Sequence, residues 1–203
     1  MSNSTQTPIL DFLMAPENLR DALLIVQYGG EIRKRVAEQF WSKLERELKQ
    51  NQPVESSLTG WEHTPADKPT DEFALNALLK PVGEDSQGLK YGVATAPKYF
   101  GVGLMWLHST ADFEALCRRR PVKILQDHLR KKCRGDVEPD PNCDWLWWEN
   151  WERSPYDDPW YWFANDKFDD TWFKDKSQKF WEFVTQTHAL VADANVSLKQ
   201  VKR

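Results

Sequence analysis

The sequence has little of what normally marks an enzyme or a metalloprotein. Its 203 residues include only three cysteines, four histidines and nine glycines. The cysteines form no C-x-x-C pair and the histidines no H-x-x-x-H pair, so neither a zinc site nor a disulfide framework is indicated. The sequence also lacks the clustered glycines that cradle phosphates and a G-x-S-x-G nucleophile motif. These absences favour a protein without catalytic residues, cofactor or bound metal.

Long apolar runs are missing as well. The longest apolar patch, Ala22 to Val26, is far too short to cross a bilayer, and the opening MSNSTQTPIL shows no cationic segment followed by an apolar one. We therefore expect a cytoplasmic protein. With 13% aromatic residues to fill a core, the chain is expected to form a single domain over 1–203, with a flexible tail at 1–8 and connecting loops at 51–70 and 135–143.

Hydrophobic periodicity predicts an α+β fold. It indicates two N-terminal helices, Glu17 to Tyr28 and Glu31 to Gln50, which the Gly29-Gly30 pair would separate into a helical hairpin. Alternating apolar residues indicate a small antiparallel sheet of three to four strands. The predicted strands are Phe73–Lys80, Leu89–Thr95, Tyr99–His108 and Trp145–Trp151, with a further short strand at Trp61–Thr64. A long helix from Asp169 to Lys199 closes the chain and is expected to pack against the hairpin.

Charge is segregated along the chain. Between Ala111 and Gly135, eight lysines and arginines stand against three acids, whereas Asp136 to Trp172 holds eleven acids against two cations. A cap at Ser109 or Thr110 and a restart at Pro121 predict that the basic block is helical as far as Lys132. Its candidate partner-binding residues are Arg118, Arg119, Arg120, Arg130, Lys131 and Lys132.

Tryptophan is concentrated in the acidic segment. The stretch from Asp144 to Trp160 holds five of the eleven tryptophans of the chain. In a regular strand Trp145, Trp147 and Trp151 would share one face and Trp148 would lie on the other, as in a strand covered on both sides. Such rings can form a core, or they can stack on bases or sugars beside a positive track. The candidate partner-binding tryptophans are Trp147, Trp148, Trp151 and Trp160.

The order of the segments resembles a known family. The stretch LLIVQYGGEIRKRVAEQFWSKLERELKQ precedes LKYGVATAPKYFGVGLMW, then WLWWENW, then SQKFWEFVTQTHALVADANVSLKQ. This progression resembles the C-terminal accessory region of bacterial PD-(D/E)XK superfamily proteins, where a nuclease-like core is followed by a helix, a small sheet with a tryptophan-rich strand and a last helix. Nuclease chemistry in that family needs Glu-x-Lys on a strand, and no predicted strand contains it. The nearest match, Glu47-Leu48-Lys49, lies on a helix.

The resemblance therefore implies an accessory piece without the nuclease, in a mobile-element or phage-conflict setting. Our leading hypothesis is a non-catalytic interaction module that binds a protein or nucleic-acid partner and no membrane. One alternative is a metal-dependent nuclease-like hydrolase with carboxylates from Asp112, Glu114, Asp157 and Asp158. The other alternative is a homodimeric scaffold in which the long last helix pairs with its symmetry mate.

Overall fold

The computed structural model describes residues 6–53, 61–64, 74–81, 88–96, 99–106, 117–132, 145–153 and 168–199. The helices in this part of the chain are α1 (Gln6–Met14), α2 (Pro16–Gln50), α3 (Arg120–Lys132) and α4 (Asp170–Lys199). The strands are β1 (Trp61–Thr64), β2 (Ala74–Pro81), β3 (Leu89–Ala96), β4 (Tyr99–Trp106) and β5 (Trp145–Arg153).

The strands form one antiparallel sheet in the order β1-β2-β3-β4-β5. Each strand pairs with its neighbour in sequence, so the sheet is a meander and needs no crossover connection. The predicted α+β class, with an N-terminal helical region, an antiparallel sheet and a long last helix, is confirmed. The sheet has five strands where three to four were predicted. The fifth strand is β1, the short strand expected within the connecting loop at 51–70, which pairs with β2 and so joins the sheet.

The N-terminal helices differ from the predicted hairpin. Helix α2 runs without a break from Pro16 to Gln50 and passes through Gly29-Gly30, so the break predicted at the glycines was wrong. Glycine costs about 1 kcal/mol relative to alanine inside a helix but does not forbid the conformation. Downstream of the pair, Arg35 forms an ion pair with Glu31 at 2.8 Å, one helical turn away. The chain bends instead at Ala15, between α1 and α2.

The core lies between the sheet and the helices, where α4 contacts β3, the C-terminal half of α2, and α3. Phe40 of α2 sits among aromatic rings, with its centroid 5.1 Å from Phe173 and 5.7 Å from Phe100 in edge-to-face geometry. Further rings around it belong to Trp41, Phe168 and Trp172. Contacts of this kind hold β4, α2 and the start of α4 together.

Helix α4 is the central element of the core. Its apolar residues Phe173, Phe180, Val184, Val191 and Ala194 are buried within the chain. Asp169 caps its first turn, since a carboxylate oxygen of Asp169 accepts from the backbone N–H of Trp172 at 2.9 Å. The apolar stripe that the scaffold hypothesis assigned to a symmetry mate therefore packs inside this chain.

Polar side chains of α4 also fasten it to its neighbours. The side-chain amide of Asn195 accepts from the Leu89 N–H at 2.7 Å and donates to the Leu89 carbonyl at 3.1 Å. At the C-terminus of α2, Ser177 donates to the Glu47 carbonyl at 2.8 Å and the Trp181 indole donates to the Leu48 carbonyl at 2.7 Å. The bonds to Leu89 and Leu48 pair backbone groups at the end of a strand and of a helix, whereas the Glu47 carbonyl also accepts from the Asn51 backbone N–H at 3.0 Å.

Some predicted features fall partly or wholly outside the described residues. Helix α1 begins at Gln6, inside the predicted tail at 1–8. The predicted loop at 135–143 lies outside the described part of the chain. Among the helices that the structure describes, none combines the length and the apolar character needed to span a membrane.

Candidate functional site

The tryptophan-rich strand β5 is irregular, and its irregularities decide where the indoles point. Leu104 is opposite Trp147 and Met105 is opposite Trp145, so one extra residue lies between these pairs. A second extra residue lies in β5, between the residue opposite Phe100 and the residue opposite Gly101. Each bulge reverses the alternation of side chains beyond it. The predicted parity of Trp145 is therefore wrong, because it assumed a regular strand.

Trp145 and Trp148 lie on the same face of the sheet, over the two glycines of β4. A Cβ atom at Gly101 would lie 2.7 Å from the Trp148 ring, and one at Gly103 would lie 2.5 Å from the Trp145 ring. The two indoles meet edge to face with centroids 4.7 Å apart. The glycines thus leave the space that the rings occupy. Both indoles are half-buried.

Trp147 and Trp151 lie on the opposite face, towards the helices. Trp147 is 1% exposed and stacks on Phe183 of α4 with centroids 4.4 Å apart, so this predicted partner-binding residue belongs to the core. Trp151 is half-buried and lies 5.9 Å from Phe100, centroid to centroid. Trp160 lies outside the described residues. Of Trp147 and Trp151, the structure brings Trp151 to a cleft beside the helices.

The basic helix α3 presents a charged face outward. Its apolar residues Val122, Leu125 and Leu129 are buried, which fixes the orientation of the helix. The opposite face is exposed, and its cations are Arg120, Lys123, Arg130, Lys131 and Lys132, preceded by exposed Arg118. Such segregation is typical of an amphipathic helix whose polar face is available to solvent or to a partner.

Two arginines of the basic block are held by the protein itself. Arg119 is half-buried and donates to the Ser197 carbonyl near the end of α4. Arg130 forms an ion pair with Asp127 on its own helix at 3.3 Å, and both side chains are largely exposed. Arg119 therefore acts in packing α3 onto α4, and the remaining cations define the exposed basic face.

A polar cleft joins this helix to the tryptophan-rich strand. It has a volume of about 340 Å³ and lies between β5, α4 and the end of α3. Its lining includes Lys132, Trp151, Lys179, Glu149 and Glu182. The cleft thus brings together one cation and one tryptophan that the sequence had singled out separately. Sequence spacing could not predict that Lys179 and Glu182 line this cleft, because they belong to α4, a distant part of the chain.

A buried lysine in the lining of the cleft forms ion pairs with two carboxylates. Lys176 is 6% exposed, and its ammonium lies 3.4 Å from a carboxylate oxygen of Glu152 and 3.4 Å from one of Asp175. Glu152 also accepts from the Trp172 indole at 3.2 Å. Burial on its own raises the pKa of Asp175, but the hydrogen bond from Lys179 and the charges of Lys179 and Lys176 outweigh it and lower the pKa below its usual value.

Metal binding and hydrolysis are the other candidate activities. Among them no group of three or more histidine, cysteine or carboxylate side chains is placed to hold a metal ion. The carboxylates of the hydrolase hypothesis, Asp112, Glu114, Asp157 and Asp158, lie outside the described ranges. Cys117 is a free thiol that packs against the core and accepts a weak hydrogen bond from Gln126 at 3.9 Å.

Comparison with known proteins adds no relative. The chain matches no protein-family model, no curated protein sequence and no solved structure.

Proposed function

We propose that this protein is a non-catalytic interaction module that binds an acidic partner through the exposed face of α3. The observation that carries the proposal is the separation of exposed cations from buried apolar residues on this helix. Arg120, Lys123 and Lys131 are exposed, while the other side of the same helix is anchored in the core. A row of cations fixed to a rigid element attracts a phosphate backbone or an acidic protein surface.

The neighbouring cleft gives this face a second kind of contact. Lys132 ends α3 and also lines the cleft, where the half-buried ring of Trp151 is found. A cation beside an aromatic ring suits an unstacked base or a planar polar side chain. The opposing carboxylates Glu149 and Glu182 offset the lysines there, so the long-range attraction comes from α3 and the cleft adds short-range contacts.

The resemblance to the accessory region of bacterial PD-(D/E)XK proteins supplies a setting for the proposal. It implies a module that works beside a nuclease, or in conflict with mobile elements or phage, and that lacks the nuclease motif itself. A nucleic acid and an acidic protein surface are both partners that such a setting contains.

The test is charge reversal on α3. The variant Arg120→Glu, Lys123→Glu, Lys131→Glu is expected to lose binding to a fluorescent single-stranded oligonucleotide and to an acidic peptide, measured by anisotropy at low salt. The matched control is Lys43→Glu, Lys49→Glu, Lys174→Glu, which makes the same change in net charge on α2 and α4. Equal loss in both variants, or wild-type protein that binds neither probe, contradicts the proposal.

The two probes also separate the classes of partner. Preference for the oligonucleotide assigns α3 to a nucleic acid, and preference for the peptide assigns it to an acidic protein. A binding site on the tryptophans of β5 predicts the opposite pattern, with the charge-reversal variant retaining affinity.

A further inference from the structure

The N-terminal half of α2 extends away from the body of the protein. Buried residues of α2 begin at Ala37, and from Arg20 to Arg35 all residues but Ala22 and Gly29 are exposed. Sixteen helical residues span about 24 Å. We call residues 20–35 the arm. Nothing else in the described part of the chain covers it.

The arm carries far more apolar surface than a solvated helix needs. Its large exposed side chains are Leu23, Leu24, Ile25, Val26, Tyr28 and Ile32, with exposed fractions of 41% to 79%. Four of them are consecutive, and successive helical residues lie about 100° apart, so apolar groups surround the helix on all sides. A helix that is apolar all round is normally buried.

The charges on the two sides of the uncharged part of the arm have opposite signs, although most of the acids lie before residue 20. The segment 6–22 contains three acids and one cation, the segment 22–30 contains no charge, and the segment 31–36 contains three cations and one acid. Two identical arms laid antiparallel bring each acidic end to the basic end of the other. A parallel arrangement would place like charges together.

The glycine pair lies at the C-terminal end of the uncharged segment 22–30. A Cβ atom on Gly29 or Gly30 would meet nothing within 4 Å, so no contact within the described part of the chain requires either glycine. Glycine is also among the least favourable residues in a helix. At a crossing of two helices, by contrast, the missing side chains let the backbones approach closely.

We propose that the arm is a dimerisation element that pairs antiparallel with the arm of a second copy of this chain, crossing within the uncharged segment 22–30. The exposed apolar area is of the size that an interface needs. With Leu10, Phe12 and Met14 of α1, nine large apolar side chains are 41% to 79% exposed here. At roughly 200 Å² each, and a little over half exposed, they offer roughly 1,000 Å² per copy, against about 800 Å² per partner in a standard interface. The proposal does not depend on the role of α3.

Sedimentation velocity and light scattering of the full chain test the interface. Wild type is expected to be a dimer at micromolar concentration. Two variants probe opposite sides of the arm, Leu23→Glu with Val26→Glu and Ile25→Glu with Ile32→Glu. At least one of them is expected to raise the dissociation constant by roughly a hundredfold or more. The matched control, Ile124→Glu on the exposed face of α3, stays dimeric.

Charge exchange tests the orientation. One variant carries Glu17→Lys and Asp21→Lys, so both of its ends are positive, and the other carries Arg33→Glu and Lys34→Glu, so both of its ends are negative. Each variant alone is expected to dimerise more weakly than wild type. An equimolar mixture is expected to recover the dimer as a heterodimer, because every end then meets an opposite charge.

Three outcomes overturn the proposal. The first is a wild-type chain that remains monomeric throughout the micromolar range, including the case in which the arm instead binds lipid vesicles or another protein. The second is a dimer that neither arm variant weakens, since another surface then holds it. The third is a pair of charge variants that each dimerise alone as tightly as wild type, as a parallel pair would, which excludes the antiparallel arrangement. Helical circular dichroism of each variant shows that the body remains folded.

Discussion

The bond between Asn195 and Leu89 allows a quantitative prediction about how α4 is held to the sheet. Asn195 is 4% exposed and Leu89 is fully buried. Tyr91 is the first residue of β3 that pairs with β2 in the described register, and Leu89 precedes it. At Leu89, Asn195 supplies both the acceptor and the donor that a neighbouring strand would supply. Its side chain therefore replaces one rung of the ladder.

Replacing Asn195 by alanine leaves one buried N–H and one buried carbonyl without partners. At about 1 to 3 kcal/mol for each of the two groups, the free energy of unfolding is expected to fall by roughly 2 to 6 kcal/mol. Urea denaturation followed by tryptophan emission measures the change as a shift of the midpoint at constant slope.

Two further variants sharpen this test. Val196→Ala alters the next residue on the same helix, which is 53% exposed, and is expected to change stability by less than about 0.5 kcal/mol. Asn195→Asp keeps an acceptor for the Leu89 N–H but sets a carboxylate against the Leu89 carbonyl. It is therefore expected to restore little of the stability that Asn195→Ala loses. A loss below about 1 kcal/mol in Asn195→Ala would refute the proposed role of the two bonds.

Three other predictions concern the strand, the helix end and the cleft. Gly101→Ala sets a methyl group against the Glu149 carbonyl and the Trp148 ring, so β5 must shift, and a loss of about 1 to 3 kcal/mol in urea is expected. Trp181→Phe removes the donor to the Leu48 carbonyl and is expected to cost about 1 to 2 kcal/mol, measured in the same way. The lowered pKa of Asp175 means that the folded state favours its charged form. The stability gained is present above the pKa of the unfolded chain and is lost as the pH falls through the lower folded value. Asp175→Asn is therefore expected to flatten the acid limb of a stability profile, and an unchanged limb would contradict the assigned ion pairs.

Much of the fold could be predicted from the sequence because its signals are local. The alternation of Phe100, Val102 and Leu104 placed β4 correctly, and the long apolar periodicity placed α4. The break at Gly29-Gly30 was mispredicted because propensity alone cannot show whether flanking turns and ion pairs carry a helix across two glycines. Trp145 was mispredicted because a bulge is set by register with β4, which no local pattern reports.

The candidate site was less accessible to sequence reasoning. Exposed cations such as Lys131 could be found because amphipathic periodicity tells which face of a helix is buried. The cleft could not, because Lys132, Trp151 and Lys179 come from three elements that only tertiary packing brings together. The exposure of the arm was equally hidden, since a stripe from Ile32 to Leu48 looks like one continuous core face although burial begins at Ala37.

The salt dependence of binding tests the central claim most directly. We would titrate the wild-type chain into a mixed-sequence single-stranded oligonucleotide and into an acidic peptide at several salt concentrations. If α3 binds phosphates, the logarithm of the affinity falls linearly with the logarithm of salt concentration, and removing Lys123 or Lys131 reduces the slope by about 0.7 for each phosphate that the variant no longer neutralises. An affinity that does not change with salt concentration would contradict a binding function for the basic face of α3. The same holds if these substitutions leave the slope of log affinity against log salt concentration unchanged.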